Sequence, residues 1–468
     1  MSTPGAKEEL SRPGIMSDVE PELIDNLSVL AASGEQGMVL NILANLHPAD
    51  IARLLARLPI EEGQQVFRWL PIEPAGEVLA ELDDEFRAEL LEETQPHRLT
   101  ALLDELDSDD AADILADLPV EIARQVLPTL EDAEEVEGLL GYHEESAGGI
   151  MAAEFVAVPG SWTVAETTEE VRRNADEVED LYSVFVLDED HRLKGFVSLK
   201  RLLLSKATAL MSDIMDPEVL SVPTDIDQEE VARIMERYDL VSLPVVDAEG
   251  RIAGRITIDD VVDVIREEAE EDIQRMSGVA GGEEHTDSVL RIIGGRLPWL
   301  LMGLCGAGFS AFVINFFSYE LQHAVILASF IPIVMATAGN AGIQSSSIAV
   351  QGLASGDVWA SDVLQRLYKE LRVALLNGTI VALVLGAVIL TLSAFFPERI
   401  ADAANLAYTA GLALIIVIVL AASIGATIPL LLHRVNIDPA IATGPFITTS
   451  NDILGILIFF LLAKLLYL

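Results

Sequence analysis

Five apolar stretches after residue 290 set the tightest limit on what this chain can fold into: 297–317, 324–338 running on through a polar break to 353, 373–396, 408–432 and 446–468. Each is close to the roughly 20 residues that a helix needs to cross a bilayer. Backbone polar groups in hydrocarbon must be paired inside the segment, so the stretches are predicted as transmembrane helices. Their basic flanks orient them. Arg291 and Arg296 precede the first, Arg366, Lys369 and Arg372 lie between the second and third, and Arg434 lies between the fourth and fifth, whereas the opposite loops hold Arg399 alone. An excess of Lys and Arg marks the cytoplasmic side. The amino-terminal half is therefore predicted to be cytoplasmic and the C-terminus external, in a multi-pass protein of the cytoplasmic membrane.

Two of the stretches carry residues that lipid-facing helices avoid. The second contains Ala338-Gly-Asn340-Ala-Gly-Ile-Gln344-Ser-Ser-Ser347, and the fifth follows Gly444-Pro445 with Thr448, Thr449, Asn451 and Asp452. Such residues predict broken helices lining a water-filled path. Small residues also allow close helix packing, but packing does not account for Asn340, Gln344, Asn451 and Asp452 together. An ionised side chain at bilayer depth costs about 3 kcal/mol or more, so Asp452 belongs beside water, a partner or a cation. The competing reading makes Asp452 the N-cap of a helix starting near Ile453.

Charge separates the two halves. From Arg291 onward there are eight acids and eight bases; without them the totals of 75 and 29 fall to 67 acids against 21 bases, so the whole surplus of 46 negative charges precedes residue 291. That half suits cations and repels nucleic acid and anionic lipid. The same acidity could serve solubility in a salty cytoplasm. A single cysteine, Cys305, excludes an intrachain disulfide and a thiolate zinc cluster, and the seven histidines show no metal-ligand spacing. The first residues are polar and carry no apolar signal-peptide core, so residues 1–22 are predicted to be a disordered cytoplasmic start.

Between residues 46 and 130 the sequence repeats about every 12 residues. Leu46, Leu58, Leu70, Leu82, Leu106, Leu118 and Leu130 are in phase, with Thr94 in the missing slot. Pro59, Pro71 and Pro119, or Asp83, Asp107 and Glu131, follow and suit helix starts. The prediction is a solenoid of stacked one-helix repeats over 23–145. Its acids, including Asp104, Glu105, Asp107, Asp109, Asp110 and Asp113, would form a charge-dependent docking surface.

A longer repeat follows. Residues 184–201 align without gaps to 243–260, and 155–159 pair with 219–223, each leading into an acidic helical stretch. The pattern predicts a β-α-β-β-α unit present twice. It resembles the tandem cystathionine-β-synthase-type (CBS) regulatory module, an α+β disc over 146–265 that often binds adenosyl nucleotides. In copies that bind them, a Ser or Thr is followed three positions later by an Asp that holds the ribose. Thr257 and Asp260 keep that spacing, whereas Ser198 is followed by Arg201. Beyond the module, 266–290 opens as a very acidic helix in which Asp260, Asp263, Glu267 and Glu271 form one stripe of like charge, unfavourable without counter-ions.

The stretch Gly339-Asn-Ala-Gly-Ile-Gln344-Ser with Gly352-Leu-Ala, together with Asp438-Pro-Ala-x-x-x-Gly-Pro-x-x-Thr-Thr-x-x-Asp452, resembles the pore signatures of the MgtE family of magnesium channels. The order of parts, including the 144–151 junction Glu-Glu-Ser-Ala-Gly-Gly-Ile-Met, is similar over nearly the whole chain. Gln351 departs from the pattern, which has Arg there. The resemblance implies a homodimer with a pore on its two-fold axis at 291–468, Asp452 facing the ion, and Asn340, Gly444 and Thr448 near it. It also implies that Mg²⁺ bound among solenoid, CBS module and connecting helix closes the gate. Asp109 and Asp113, Glu229 and Asp239, and Asp260, Asp263, Glu268, Glu271 and Asp272 match the family's sensor acids.

The sequence is therefore expected to give a multidomain membrane protein that takes up Mg²⁺ and is closed by cytoplasmic Mg²⁺. The alternatives are another divalent ion such as Co²⁺, movement coupled to H⁺ or Na⁺, and gating by ATP or a related adenine nucleotide. No nucleophile–base pair suggests an enzyme.

Overall fold

The computed structural model describes residues 21–91, 94–175, 178, 181–279, 281, 289–354, 363–397, 400, 402–435, 437–442 and 444–468. They form two compact units, Met1–Ile265 and Arg266–Leu468. One helix, Ile258–Met276, carries the chain across that division.

The first unit begins with ten α-helices among the described residues, between Pro21 and Leu139. Eight of them start at Gln36, Pro48, Ile60, Ile72, Asp84, Pro96, Ser108 and Val120, so the repeat of 12 residues is a repeat of helix starts. Two to three turns present one apolar row, and the row recurs as Leu54, Val66, Val78, Leu90, Leu102, Ile114 and Val126, all buried. Pro59, Pro71 and Pro119 stand at N-caps, where a missing N–H costs nothing. The phase slips after Val126, where Leu127–Thr129 is a 3₁₀ turn and the next helix follows Asp132 rather than Glu131. The helices also do not stack in chain order. Each packs mainly on the helix two repeats along, giving two interleaved columns. Helix formation at Pro21 and Glu22 shortens the expected disordered start, whose residues 1–20 lie outside the described ones.

Two small sheets follow. β1 (Ala157–Pro159) runs parallel to β2 (Ser183–Leu187), which pairs antiparallel with β3 (Leu193–Ser198); β4 (Val222–Pro223), β5 (Ser242–Val246) and β6 (Ile252–Thr257) repeat the arrangement. Each hairpin turn is held by one aspartate. Asp188 Oδ1 accepts from the N–H groups of Asp190 and Arg192, and Asp247 Oδ1 from those of Glu249 and Arg251. The copies exchange edges: Ala152 bridges to Arg255 beside β6, and Asp216 to Phe196 beside β3. This is why the repeat keeps Gly195 and Gly254. A Cβ on Gly195 would run into the Asp216 carbonyl, and one on Gly254 would lie 2.6 Å from the Ala152 carbonyl.

The second unit holds five helices long and apolar enough to cross a membrane: Val289–Phe316, Val325–Ala354, Gln365–Phe395, Ala403–Arg434 and Pro439–Leu466. The fifth packs on the first, second and fourth, and the third packs on the fourth. Phe317, Phe330, Phe459 and Phe460 anchor their shared core, with the Phe317 and Phe460 rings stacked at 5.0 Å. Two expectations change here. The polar run 338–347 does not break the second span, because Ile331–Ala354 is one α-helix; the irregular stretch is the 3₁₀ turn Val325–Phe330 before it. Gly444-Pro445 likewise does not break the fifth span but starts it, with Gly444 as N-cap and Pro445 at the first helical position. Arg399, used above to orient the spans, lies outside the described residues.

Candidate functional site

Within the first unit, the helix Ser108–Asp117 brings its acids against the start of Ile258–Met276. Asp109 is only 8% exposed. Burial raises its carboxyl well above the usual range, and the charges of Asp260, Asp110 and Asp107 add to the rise. Burial with Asp260 and Asp107 nearby pushes Asp110 up to about 7. Asp113 also reaches about 7, through burial and the charge of Asp110, against the relief given by Arg87. Asp260 is raised to about 6 by burial, although the Thr257 hydroxyl and N–H both donate to its Oδ2 at 2.8 and 3.0 Å. Arg87 fills a column slot that Ile51, Ala75, Leu99 and Ala111 fill elsewhere, and its Nη2 lies 2.9 Å from Asp117 Oδ2. Arg255, 3% exposed, donates to the Glu154 carbonyl and lies 4.0 Å from Asp107. Glu154 accepts from the Ser108 N–H and hydroxyl, and burial raises its carboxyl too.

Carboxylates that protonate near neutrality are poised to exchange protons for a hard cation with oxygen ligands. Among the described residues no three His, Cys, Asp or Glu converge as a ready metal cage. The donor set nevertheless fits Mg²⁺, which keeps several waters and uses one or two carboxylates at a time.

The other acids expected to act in sensing are placed differently. Asp263 faces Glu81, whose carboxyl is raised by burial first, with His47 lowering and Asp263 raising it. Glu229 pairs with Arg233 on its own helix, and Asp239 ends that helix in the left-handed region at φ 52°. Neither acts on the buried group of acids. Asp110, expected only on the charged docking surface, and Asp259, which no motif marks, both lie in the field of that group. The signal was present: Asp110 lies one turn before Asp113 on one helix, and Asp259 precedes Asp260.

In the second unit, Asp452 sits two turns inside Pro445–Leu466, so it is not the N-cap of a helix starting near Ile453. It is partly exposed and makes no hydrogen bond or ion pair among the described residues. Thr448, one turn earlier, donates to the Gly444 carbonyl at 3.3 Å. Asn340 and Gln344 are exposed one turn apart on the second span. Asn451 and Thr449 point elsewhere. Asn451 is 2% exposed, its Nδ2 reaches the Ala338 carbonyl at 3.5 Å, and its Oδ1 finds no donor among the described residues. Gly342 lies against Asn451, and Gly306 of the first span lies against Thr449. The polar residues of the fifth span thus divide between an open face and a packed one.

The end of Ile258–Met276 meets the start of the fifth span within this unit. Arg275 pairs with Glu271 one turn earlier and, at 2.5 Å, with Asp438, whose other oxygen accepts from the Ala440 N–H at 2.7 Å. A Cβ on Gly444 would stand 3.1 Å from the Met276 carbonyl. Gly278, at φ 78°, turns the chain beside Pro445. No role is assigned by geometry to Glu268 or Asp272 on the same helix.

Comparison with known proteins matches nearly the whole chain. Residues 331–462 match the MgtE family profile described as a divalent cation transporter, 46–145 match the MgtE intracellular N domain, and 147–207 and 211–267 match CBS domains. The magnesium transporter MgtE of Thermus thermophilus is 36% identical over 461 residues, covering 96% of this chain and 99% of the relative. That of Bacillus subtilis is 29% identical over 94% of this chain and 96% of its own. The crystal structure of the cytosolic domain of the Mg²⁺ channel MgtE in complex with ATP aligns at 40% identity with a TM-score of 0.49, over 52% of this chain and 99% of that one. With the intracellular N domain, paired CBS domains and divalent cation transporter profiles matched in order, and a magnesium transporter 36% identical over 96% of the chain, the chain belongs to the MgtE family.

Proposed function

We propose that this protein is a Mg²⁺ channel of the cytoplasmic membrane, used for uptake and closed by Mg²⁺ on its cytoplasmic side. The observation that carries the reading is the Ile258–Met276 helix. Its first turn, with Asp259 and Asp260, lies in the field of Asp109 and Asp110, and its last turn reaches the fifth span through Arg275 and Asp438.

Asp452, Asn340, Gln344 and Thr448 are assigned to the ion path, which a second copy of the chain completes about a two-fold axis. Their uncovered faces on membrane-spanning helices require water or a partner. Oxygen donors of this kind hold hydrated Mg²⁺ without stripping its shell. Gly444 belongs to the mouth, while Thr449 and Asn451 support the path by packing. In the sensor, Asp109, Asp110, Asp113 and Asp260 repel one another when ionised and loosen the contact between their helices. Mg²⁺, when bound, supplies the positive charge that lets these acids approach, which favours the compact state. Asp263, Glu268, Glu271 and Asp272 extend the same charge-dependent surface, with Glu229 and Asp239 at its margin. Adenine nucleotide at Thr257 and Asp260 would compete with this use, because Asp260 already accepts from Thr257.

Reconstitution into liposomes tests the ion path. Asp452→Ala is expected to abolish Mg²⁺ flux while the protein keeps its folded size and melting temperature; undiminished flux removes Asp452 from the path. Co²⁺ in place of Mg²⁺, and a clamped potential with H⁺ and Na⁺ gradients removed, separate a Mg²⁺ channel from a broader or coupled carrier. ATP added at constant free Mg²⁺ isolates nucleotide gating.

A further inference from the structure

Neither permeation nor sensing uses a crevice between the third and fourth spans. Leu367, Thr427, Leu430, Leu431 and Arg434 line a shallow crevice of about 70 Å³ there. The Thr427 hydroxyl is committed to the Ser423 carbonyl at 2.6 Å, so the wall is apolar and Arg434 lines it with its stem. Arg434 is exposed and makes no ion pair or hydrogen bond among the described residues. Basic side chains outnumber acids at these helix ends: Lys369 is exposed and Arg372 lies over the Tyr368 ring at 5.7 Å, while the Glu370 carboxylate accepts from the Ser345 hydroxyl at 2.5 Å.

The depth of the crevice follows from the chain. Arg434 is the last residue of the fourth span, and Asp438, four residues on, pairs with Arg275 of the connecting helix. The crevice therefore opens at the membrane boundary on the side of the connecting helix. Apolar walls at that level are covered by acyl chains, and a guanidinium without a carboxylate partner matches a phosphate with two parallel hydrogen bonds. Basic pockets between spans on the cytoplasmic side bind anionic headgroups by this combination.

We propose that this crevice is a binding site for an anionic glycerophospholipid of the cytoplasmic leaflet, with an acyl chain along Leu367, Leu430 and Leu431 and the headgroup phosphate on Arg434. The acidic amino-terminal half does not oppose this, because the membrane half is neutral overall and its basic residues gather at this end of the spans.

Native mass spectrometry of the full-length protein, with phosphatidylglycerol or phosphatidylcholine added at equal concentration, tests the site. The wild-type protein is expected to retain one phosphatidylglycerol per chain with roughly fivefold preference, the amount one basic residue near a membrane surface supplies. R434Q is expected to lose the preference and R434K to keep only part of it, because an ammonium supplies the charge without the two parallel hydrogen bonds. L431W, which fills the crevice while leaving Arg434 in place, is expected to lose the lipid. Equal retention of the two lipids by the wild-type protein overturns the proposal, as does an unchanged preference in R434Q or in L431W. Displacement of phosphatidylglycerol by millimolar inorganic phosphate also overturns it, by showing a soluble-anion site instead.

Discussion

Asp452 and Asn451 are neighbours in sequence and opposites in the structure. One helical step of about 100° turns Asn451 into the contact with Gly342 and leaves Asp452 on the open face. The sequence marked both as polar intruders but could not separate them, because the fifth span is apolar on nearly every other side and offers no periodicity to tell the faces apart. The glycine between Asn340 and Gln344 is the more sensitive partner. Gly342→Ala places a methyl group against the Asn451 amide and 2.8 Å from Ile447 Cγ2. Overpacking of this kind costs about 1–3 kcal/mol, so the variant is expected to melt several degrees lower and to conduct less, as scanning fluorimetry and flux will show. Arg87 makes the opposite point. A buried arginine in an apolar column reads as an exception in the sequence, and its reason is the group of acids it faces. Arg87→Gln is expected to melt lower than wild type in chelator and to gain more from added Mg²⁺; an unchanged Mg²⁺ increment in the melting curve would show that Arg87 serves only Asp117.

Among the elements, the solenoid was the most legible, because its 12-residue period is the helix spacing itself. The pairing of alternate helices was not legible, since a periodic row says that a face is buried and not which neighbour buries it. The second span misled for a physical reason. Gly, Asn, Gln and Ser look like a break, yet the i to i−4 bonds continue through them, and Gly342 serves close packing against Asn451 and Ile447 instead. The connecting helix was predicted from its acids, while its terminal contact went unseen because Arg275 and Asp438 are far apart in sequence. Their half-buried pair should be non-additive on mutation. The double variant Arg275→Gln with Asp438→Asn is expected to differ from the sum of the single variants by about 1 kcal/mol in stability, within the range for residues in contact. Strict additivity in a double-mutant cycle would show that the pair does not hold the helix to the fifth span.

On the scale of the whole molecule, the surplus of negative charge is not spread evenly over function. Most of it is solvated, but Asp109 is buried, with Asp110 and Asp260 half-buried beside it, which no composition could reveal. Their raised carboxyls give a pH dependence of defined sign. Each binds its proton more tightly in the folded state, so without Mg²⁺ stability is greatest at low pH and falls as pH rises from about 4, the unfolded value, through about 7 for Asp110 and Asp113. Melting of the full-length protein in chelator is expected to fall over that window and to recover with Mg²⁺ at pH 8; a flat profile would mean that these acids are solvated. If cytoplasmic Mg²⁺ closes the path it travels, Mg²⁺ flux in liposomes must depend on the Mg²⁺ concentration at the cytoplasmic face. Measured over a series of such concentrations, flux is expected to fall as Mg²⁺ rises into the millimolar range, and Asp109→Asn with Asp260→Asn to move the fall to higher concentration. Flux that ignores cytoplasmic Mg²⁺, or a fall that the double variant leaves in place, would contradict it.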